Sequence, residues 1–167
     1  VPQLRIVTSG CSGGTTFEDV ASTHHRIKSN TNVTPQQVAH LIKELSNAAA
    51  LYNRAGGIHI AALAEGKGLL FATEDIGRHN ALDKITGVSL RQGQSMRDRI
   101  LLTSGRVSSE MINKVARMGI PIVISRTSST SLSVQLAQAW DITLIGYTRR
   151  RSFRVYATAE RIVVADK

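Results

Sequence analysis

The clearest periodicity in the chain begins at Thr34. Val38, Leu41, Ile42, Leu45, Ala48, Ala49 and Tyr52 recur at helical spacing, and Thr34-Pro35-Gln36-Gln37 supplies a capping hydroxyl, a proline at the first helical position and a glutamine at the capping-box position. This predicts one helix that ends at Gly56-Gly57. Residues 58–63 and 69–73 read as strands joined by a turn at Glu65-Gly66-Lys67-Gly68. A second helix is expected after Glu74-Asp75, carrying His79, Leu82, Asp83 and Ile85. Residues 99–103 form an apolar strand, and Val107, Met111, Val115 and Met118 mark one face of a third helix. Gly119 caps that helix and Pro121 opens a strand over residues 120–125. A fourth helix over residues 131–140 and strands over 142–147 and 153–158 complete the pattern. Upstream, residues 4–8 read as a short strand, residues 9–16 as a glycine-rich loop, and residues 17–32 as a polar stretch with no period.

Strands that alternate with helices predict an α/β fold, a mixed β-sheet with helices packed on it. The β-α-β units between Ile100 and Ile145 are expected to be parallel and right-handed. A length of 167 residues fits a single domain, residues 1–167, without internal repeat or linker. Aromatic residues make up only 4% of the chain, so Val, Ile, Leu and Ala must fill its core.

Charge narrows the partners. Lysine plus arginine is 21 against 12 aspartate plus glutamate, a net charge of +9, which favours anionic partners such as nucleotides and phosphorylated cofactors. The same balance also describes an ordinary basic surface. The single cysteine, Cys11, rules out an internal disulfide and a multi-cysteine zinc cage, and it suits a reducing, cytoplasmic setting. No apolar run approaches the roughly 20 residues that span a bilayer, so no membrane partner is expected. The opening Val1-Pro2-Gln3-Leu4-Arg5 is not a signal peptide and suggests a chain that naturally begins earlier.

Four segments carry candidate chemistry. Cys11 lies among Gly, Ser and Thr, where a thiolate is accessible, although free cysteines are often inert core fillers. Residues 74–84, Glu-Asp-Ile-Gly-Arg-His-Asn-Ala-Leu-Asp-Lys, form the densest polar cluster, at a strand end where α/β sheets place ligands. Asp75, Asp83 and Lys84 read equally well as caps and surface ion pairs, whereas His79 and Asn80 are candidates for a pocket. Ser104, Gly105 and Arg106 form a strand-to-helix turn whose amides and guanidinium suit an anion, though it lacks the lysine and spacing of a P-loop. Tyr147, Thr148, Arg149, Arg150, Arg151 and Ser152 follow another strand, where arginines can pair with phosphates and a tyrosine can stack on a base; a charge run is also commonly just a solvated face. His59 does not belong to a nucleobase-deaminase zinc motif. The expected glutamate position is Ala61, and no later cysteine pair exists.

The runs at residues 74–84 and 103–111 resemble those of the formate dehydrogenase accessory sulfurtransferase family, FdhD. Gly119-Ile120-Pro121, residues 142–147 and Phe153-Arg154-Val155-Tyr156 continue the resemblance in order over nearly all of the chain. The resemblance implies a cytidine-deaminase-like layered fold that has lost its zinc site, with no metal of its own. It implies a sulfur carrier that accepts persulfide sulfur from a cysteine desulfurase. That sulfur passes to molybdenum cofactor, in its bis(molybdopterin guanine dinucleotide) form, before insertion into formate dehydrogenase. Cys11 matches the persulfide cysteine, residues 147–152 match the dinucleotide-contacting segment, and a homodimer is implied. Many family members carry a Cys-x-x-Cys pair where this chain has Cys11 and Gly14, and the family's N-terminal portion is expected to be missing.

Two other functions remain consistent with the sequence. One is a cofactor-binding chaperone without transfer chemistry, favoured by the missing second cysteine. The other is a basic nucleic-acid binder, disfavoured by the scarcity of aromatics and the lack of a recognition motif.

Overall fold

A computed structural model describes residues 21–22, 24–149 and 152–164. The expected strand at residues 4–8 and the loop carrying Cys11 lie outside the described residues. The element order is α1 (Pro35–Ala48), α2 (Ala50–Ala55), β1 (His59–Glu65), β2 (Gly68–Asp75), α3 (Arg78–Gln92), β3 (Ile100–Thr103), α4 (Ser109–Met118), β4 (Ile122–Ser125), α5 (Ser131–Ala139), β5 (Thr143–Gly146) and β6 (Arg154–Ala157).

Six strands form one mixed sheet in the order β2-β1-β3-β4-β5-β6. β1 is antiparallel to both β2 and β3, β3-β4-β5 are parallel, and β6 closes the far side antiparallel to β5. The expected parallel run between residues 100 and 145 is therefore present. Side chains that alternate along the strands are buried on both faces, as a sheet covered on two sides requires. Ala61, Leu63, Leu101, Val123 and Leu144 pack with Leu82 and Ile85 of α3, Met111, Ile112 and Val115 of α4, and Leu136 and Ala137 of α5. Ile60, Ala62, Ile100, Leu102, Ile122, Ile124 and Ile145 pack beneath Val38, Leu41, Ile42 and Leu45 of α1. The result is three layers, with α3, α4 and α5 on one face and α1 on the other. Trp140 is the largest fully buried side chain, and its indole N–H donates to the Ala21 carbonyl at 2.8 Å.

The capping box expected at Thr34 is formed. The Thr34 hydroxyl accepts from the Gln37 amide at 3.2 Å, and the Gln37 side chain accepts from the Thr34 amide at 2.8 Å. The single helix expected from Thr34 to Gly56 is instead two. At Ala49 the backbone leaves helical geometry (φ −81°, ψ 65°), and α2 starts afresh. The new N-terminus is satisfied from outside its own segment, because the Glu74 carboxylate accepts from the Leu51 and Tyr52 amides at 2.9 and 3.0 Å. Val107 lies ahead of α4 rather than on it. It is fully buried in a bridge to Ser129, and Ser108 caps the helix after it by accepting from the Met111 amide.

The topology gathers one set of termini at a single edge of the sheet. The C-terminal ends of β3, β4 and β5 lie there with the loops that follow them. Register places the start of β1 and the end of β2 beside them through His59↔Asp75 and Ala61↔Thr103, and Arg154 of β6 faces Gly146. No helix of the described residues is long and apolar enough to cross a membrane.

Gly146 tests how tightly this edge is packed. A Cβ added there would sit 2.6 Å from Tyr156 Cε2 and 2.7 Å from the Thr127 carbonyl oxygen. Gly146→Ala is therefore expected to lower stability by about 1–3 kcal/mol, the usual cost of overpacking. Denaturant unfolding of the two proteins measures it, and an unchanged midpoint would contradict the packing.

Candidate functional site

Most of the polar cluster at residues 74–84 is a brace. Asp75 Oδ1 accepts from the Gly77 amide at 3.0 Å and from Asn80 Nδ2 at 3.2 Å, while Asp75 Oδ2 pairs with Lys84 Nζ at 2.7 Å. Lys84 also donates to the Glu74 carbonyl at 2.9 Å, and the Thr73 hydroxyl donates to the Ala81 carbonyl at 2.7 Å. Asp83 pairs with Lys114 at 2.6 Å, which ties α3 to α4. Lys84, then the Gly77 amide and Asn80, hold the Asp75 carboxyl well below its ordinary range, at about 2. The brace fixes the N-terminus of α3 against the end of β2.

The loops after the parallel strands are stitched to one another by hydrogen bonds, two of them from the buried hydroxyls of Ser125 and Thr148. Ser125, fully buried, donates its hydroxyl to the Gly105 carbonyl at 2.8 Å, and that hydroxyl accepts from the Thr127 amide at 3.0 Å. The Ser125 carbonyl accepts from the Thr148 hydroxyl at 2.8 Å. The Tyr147 amide donates to the Thr127 carbonyl at 2.9 Å, and Arg149 Nη1 donates to the Arg126 carbonyl at 2.9 Å. Tyr147 is held at φ 48°, a left-handed conformation unusual for a side chain of this size and one found at constrained functional positions. Its ring is partly exposed, with the Arg154 guanidinium 5.0 Å from the ring centre.

Around Gly105 the packing is also close. A Cβ there would lie 2.9 Å from Arg78 Cβ, 3.1 Å from Arg78 Cδ and 3.3 Å from His59 Nδ1. Ser104 Oγ accepts from the Ile60 amide at 3.0 Å and lies 3.4 Å from His59 Nδ1. Burial, and then the neighbouring Arg78 charge, push the His59 pKa below its usual value. The His79 pKa is also lowered, chiefly by burial; Glu110, 3.6 Å from His79 Nε2, acts in the opposite direction.

The residues singled out in the sequence take different places in this arrangement. Ser104, Gly105, Arg106, Tyr147, Thr148, Arg149 and Ser152 belong to loops at one edge, and His79 sits beside them at the start of α3. Asn80 is engaged with Asp75. Thr148 is 1% exposed, so its hydroxyl anchors the segment. The expected cradle of free amides at Ser104-Gly105 requires correction. The Ser104 amide donates to the Ile60 carbonyl at 2.9 Å and the Gly105 amide to the Thr103 hydroxyl at 3.1 Å, so these two amides are not open to a ligand. Cys11, Arg150 and Arg151 lie outside the described residues. Arg78, Arg126 and His59 join this edge although the sequence marks none of them as a ligand-binding candidate, His59 having failed only as a zinc ligand. Arg78 stood inside the densest polar cluster, and that was the only local signal for it.

Arg78, Arg106, Arg126, Arg149 and Arg154 are thus brought to one edge of the sheet by five separate segments, while the Glu74 carboxylate caps α2 and that of Asp75 is engaged in the brace. Such a surface raises the local concentration of anions. These features define an α/β domain with a cationic strand-end surface. The chain belongs to the FdhD/NarQ family, whose family profile matches residues 2–163. It is 40% identical over 161 residues to the sulfur carrier protein FdhD of Bacillus subtilis (strain 168), a match covering 95% of this chain and 61% of that protein. It is 35% identical over 165 residues to the sulfur carrier protein FdhD of Staphylococcus aureus (strain MRSA252), covering 98% of this chain and 62% of that one. A crystal structure provisionally assigned as a formate dehydrogenase accessory protein, from Desulfotalea psychrophila, superposes with a TM-score of 0.79 at 32% identity, covering 87% of this chain and 62% of that one. The chain therefore spans about three fifths of the length of the curated relatives it matches.

Two outcomes follow from the electrostatics. The stabilising effect of the Asp75 brace is present above the carboxyl's unfolded pKa, near 3.9, and is lost as pH falls toward the folded value of about 2. Asp75→Asn should remove that part of the acid dependence of thermal unfolding; an unchanged profile would contradict the brace. By NMR, the His59 imidazole should titrate below its usual midpoint, and Arg78→Gln should move that midpoint upward. No movement would show that Arg78 does not act on His59.

Proposed function

We propose that the chain is a sulfur carrier and sulfurtransferase serving a formate dehydrogenase. The observation that carries this reading is its identity, 35–40%, to proteins named as sulfur carriers, over alignments of 161 and 165 residues that take in the Cys11 segment. The thiolate of Cys11 attacks the outer sulfur of a persulfide on a cysteine desulfurase and displaces the donor's thiolate. The sulfur then resides on Cys11 as a persulfide, with no net oxidation or reduction. The acceptor is molybdenum cofactor in its bis(molybdopterin guanine dinucleotide) form, whose phosphates are paired by the strand-end arginines. Tyr147, Arg149, Arg150, Arg151 and Ser152 contact the dinucleotide on a segment that buried Thr148 anchors, with Ser104, Gly105, Arg106, His79 and Asn80 in the neighbouring pocket. Arg149 and the exposed Tyr147 ring support this assignment, because one offers a guanidinium to a phosphate and the other a face to a base.

The wider reading is a cytoplasmic homodimer with a cytidine-deaminase-like scaffold and no metal of its own. A helix layer on each face of the mixed sheet supports that scaffold, and two guanine nucleotides per cofactor suit a two-fold partner. A cofactor-binding chaperone without transfer chemistry is the second reading, favoured by Gly14 standing where a second cysteine would allow an internal relay.

Mass spectrometry after incubation with a cysteine desulfurase and cysteine separates the two. The sulfur-carrier reading predicts one added sulfur atom on the wild-type chain and none on Cys11→Ala. No added sulfur on the wild type would leave the binding reading in its place.

A further inference from the structure

Among the residues of the brace and its surroundings, Arg78 is the cation left over. Its Nε is buried and has no hydrogen-bond partner. None of the ion pairs among the described residues involves its guanidinium, and its carbon stem is pressed against Gly105, where a Cβ would come within 2.9 Å. The stem is fixed and Nε is withdrawn from water, while the half-buried guanidinium has no carboxylate partner, so an anion would complete it. Lys84 and Lys114 show the contrast, since each has found a carboxylate nearby.

We propose that Arg78, His59 and Ser104 form a phosphate seat with Gly105 as its floor, separate from the segment at residues 147–152. The guanidinium offers paired N–H donors to two phosphate oxygens. The Ser104 hydroxyl accepts from the Ile60 amide, and when His59 Nδ1 carries the ring proton and donates to it at 3.4 Å, the hydroxyl proton turns to a third oxygen. The His59 ring, 3.4 Å from that hydroxyl, closes the side of the seat at the start of β1. Gly105 is needed because any side chain would displace Arg78 and His59 together. Arg106 and Arg126, on the loops after β3 and β4, add charge suited to a dianion in preference to a carboxylate.

The seat lies between the ends of β1 and β3, and the Tyr147 segment follows β5. Two strand spacings, on the order of 10 Å, separate them. The hydrogen bonds from Gly105 through Ser125 to Thr148 make the two positions one rigid surface. The seat stands on the geometry alone. Only the identification of its natural occupant as a phosphate of the guanine dinucleotide rests on the proposed function, with free phosphate the other source of the same chemistry.

Calorimetric titration with inorganic phosphate, pyrophosphate and guanosine diphosphate, on wild type, Arg78→Gln, Gly105→Ala and Arg149→Gln, tests the proposal. Pyrophosphate binding should weaken about tenfold or more in Arg78→Gln, as expected for a lost charge-assisted contact. Gly105→Ala should weaken it as well, with every charge retained. Arg149→Gln, on the separate segment after β5, should weaken pyrophosphate binding less than Arg78→Gln does. If guanosine diphosphate loses affinity in both arginine variants, the occupant is a nucleotide phosphate; if only the inorganic anions respond to Arg78→Gln, it is free phosphate. On pyrophosphate addition, the His59 imidazole NMR signals should move in the wild type and stay put in Arg78→Gln. Pyrophosphate affinity in a folded Arg78→Gln protein equal to that of the wild type would overturn the seat. So would no wild-type binding at millimolar pyrophosphate, or titration shifts that bypass His59. A failure of Cys11 to take up sulfur would leave these results unaffected.

Discussion

The hydroxyl and carbonyl of Ser125 hold the working edge of this molecule together. The residue is fully buried at the end of β4, the central strand of the parallel run. Its hydroxyl binds the loop after β3, and its carbonyl binds the loop after β5. A buried hydroxyl without partners would cost a few kcal/mol, so the three loops are coupled: each satisfies polar groups that the others would leave stranded. This is why Tyr147 can be kept in a left-handed conformation and why Gly105 can approach Arg78 so closely. The positions of Arg78, Arg106, Arg126 and Arg149 all follow from that coupling together with the parallel register.

The polar groups near this edge divide into two kinds. Glu74, Asp75, Asn80, Asp83 and Lys84 are spent on architecture, capping α2, fixing the first turn of α3 and tying α3 to α4. The arginines are not neutralised in this way. Like charges gathered at one edge repel one another, and the compact state tolerates them because the loops carrying them are fastened from beneath. An anionic ligand would relieve that repulsion, which links binding to stability at this edge.

The sequence made the strands and helices from residue 58 onward legible, because both faces of the sheet are buried and each helix has an apolar stripe with a recognisable cap. It concealed the break at Ala49, since the group that caps α2 is Glu74, some two dozen residues away. It also suggested free amides at Ser104-Gly105, whereas the long-range partner Ile60 and the local Thr103 hydroxyl consume them. Asn80 and Arg78 sit two residues apart in one motif, yet one is a structural partner of Asp75 and the other is unpaired. Composition cannot separate them, because the difference lies in which face of α3 meets β2 and which meets Gly105. His59 carried no signal beyond its failure to fit a zinc motif; only register with Asp75 and the turn at Ser104 bring it to the edge.

Under the proposed function, the edge formed by the ends of β3, β4 and β5 is where a phosphorylated client binds. Hydrogen–deuterium exchange with and without guanosine diphosphate tests it most directly. Slowed exchange is expected only at residues 104–108, 126–130 and 147–153 and in the first turn of α3. Protection centred on α1, or on the opposite edge at Gly66 and Gly119, with those loops unchanged, would contradict it.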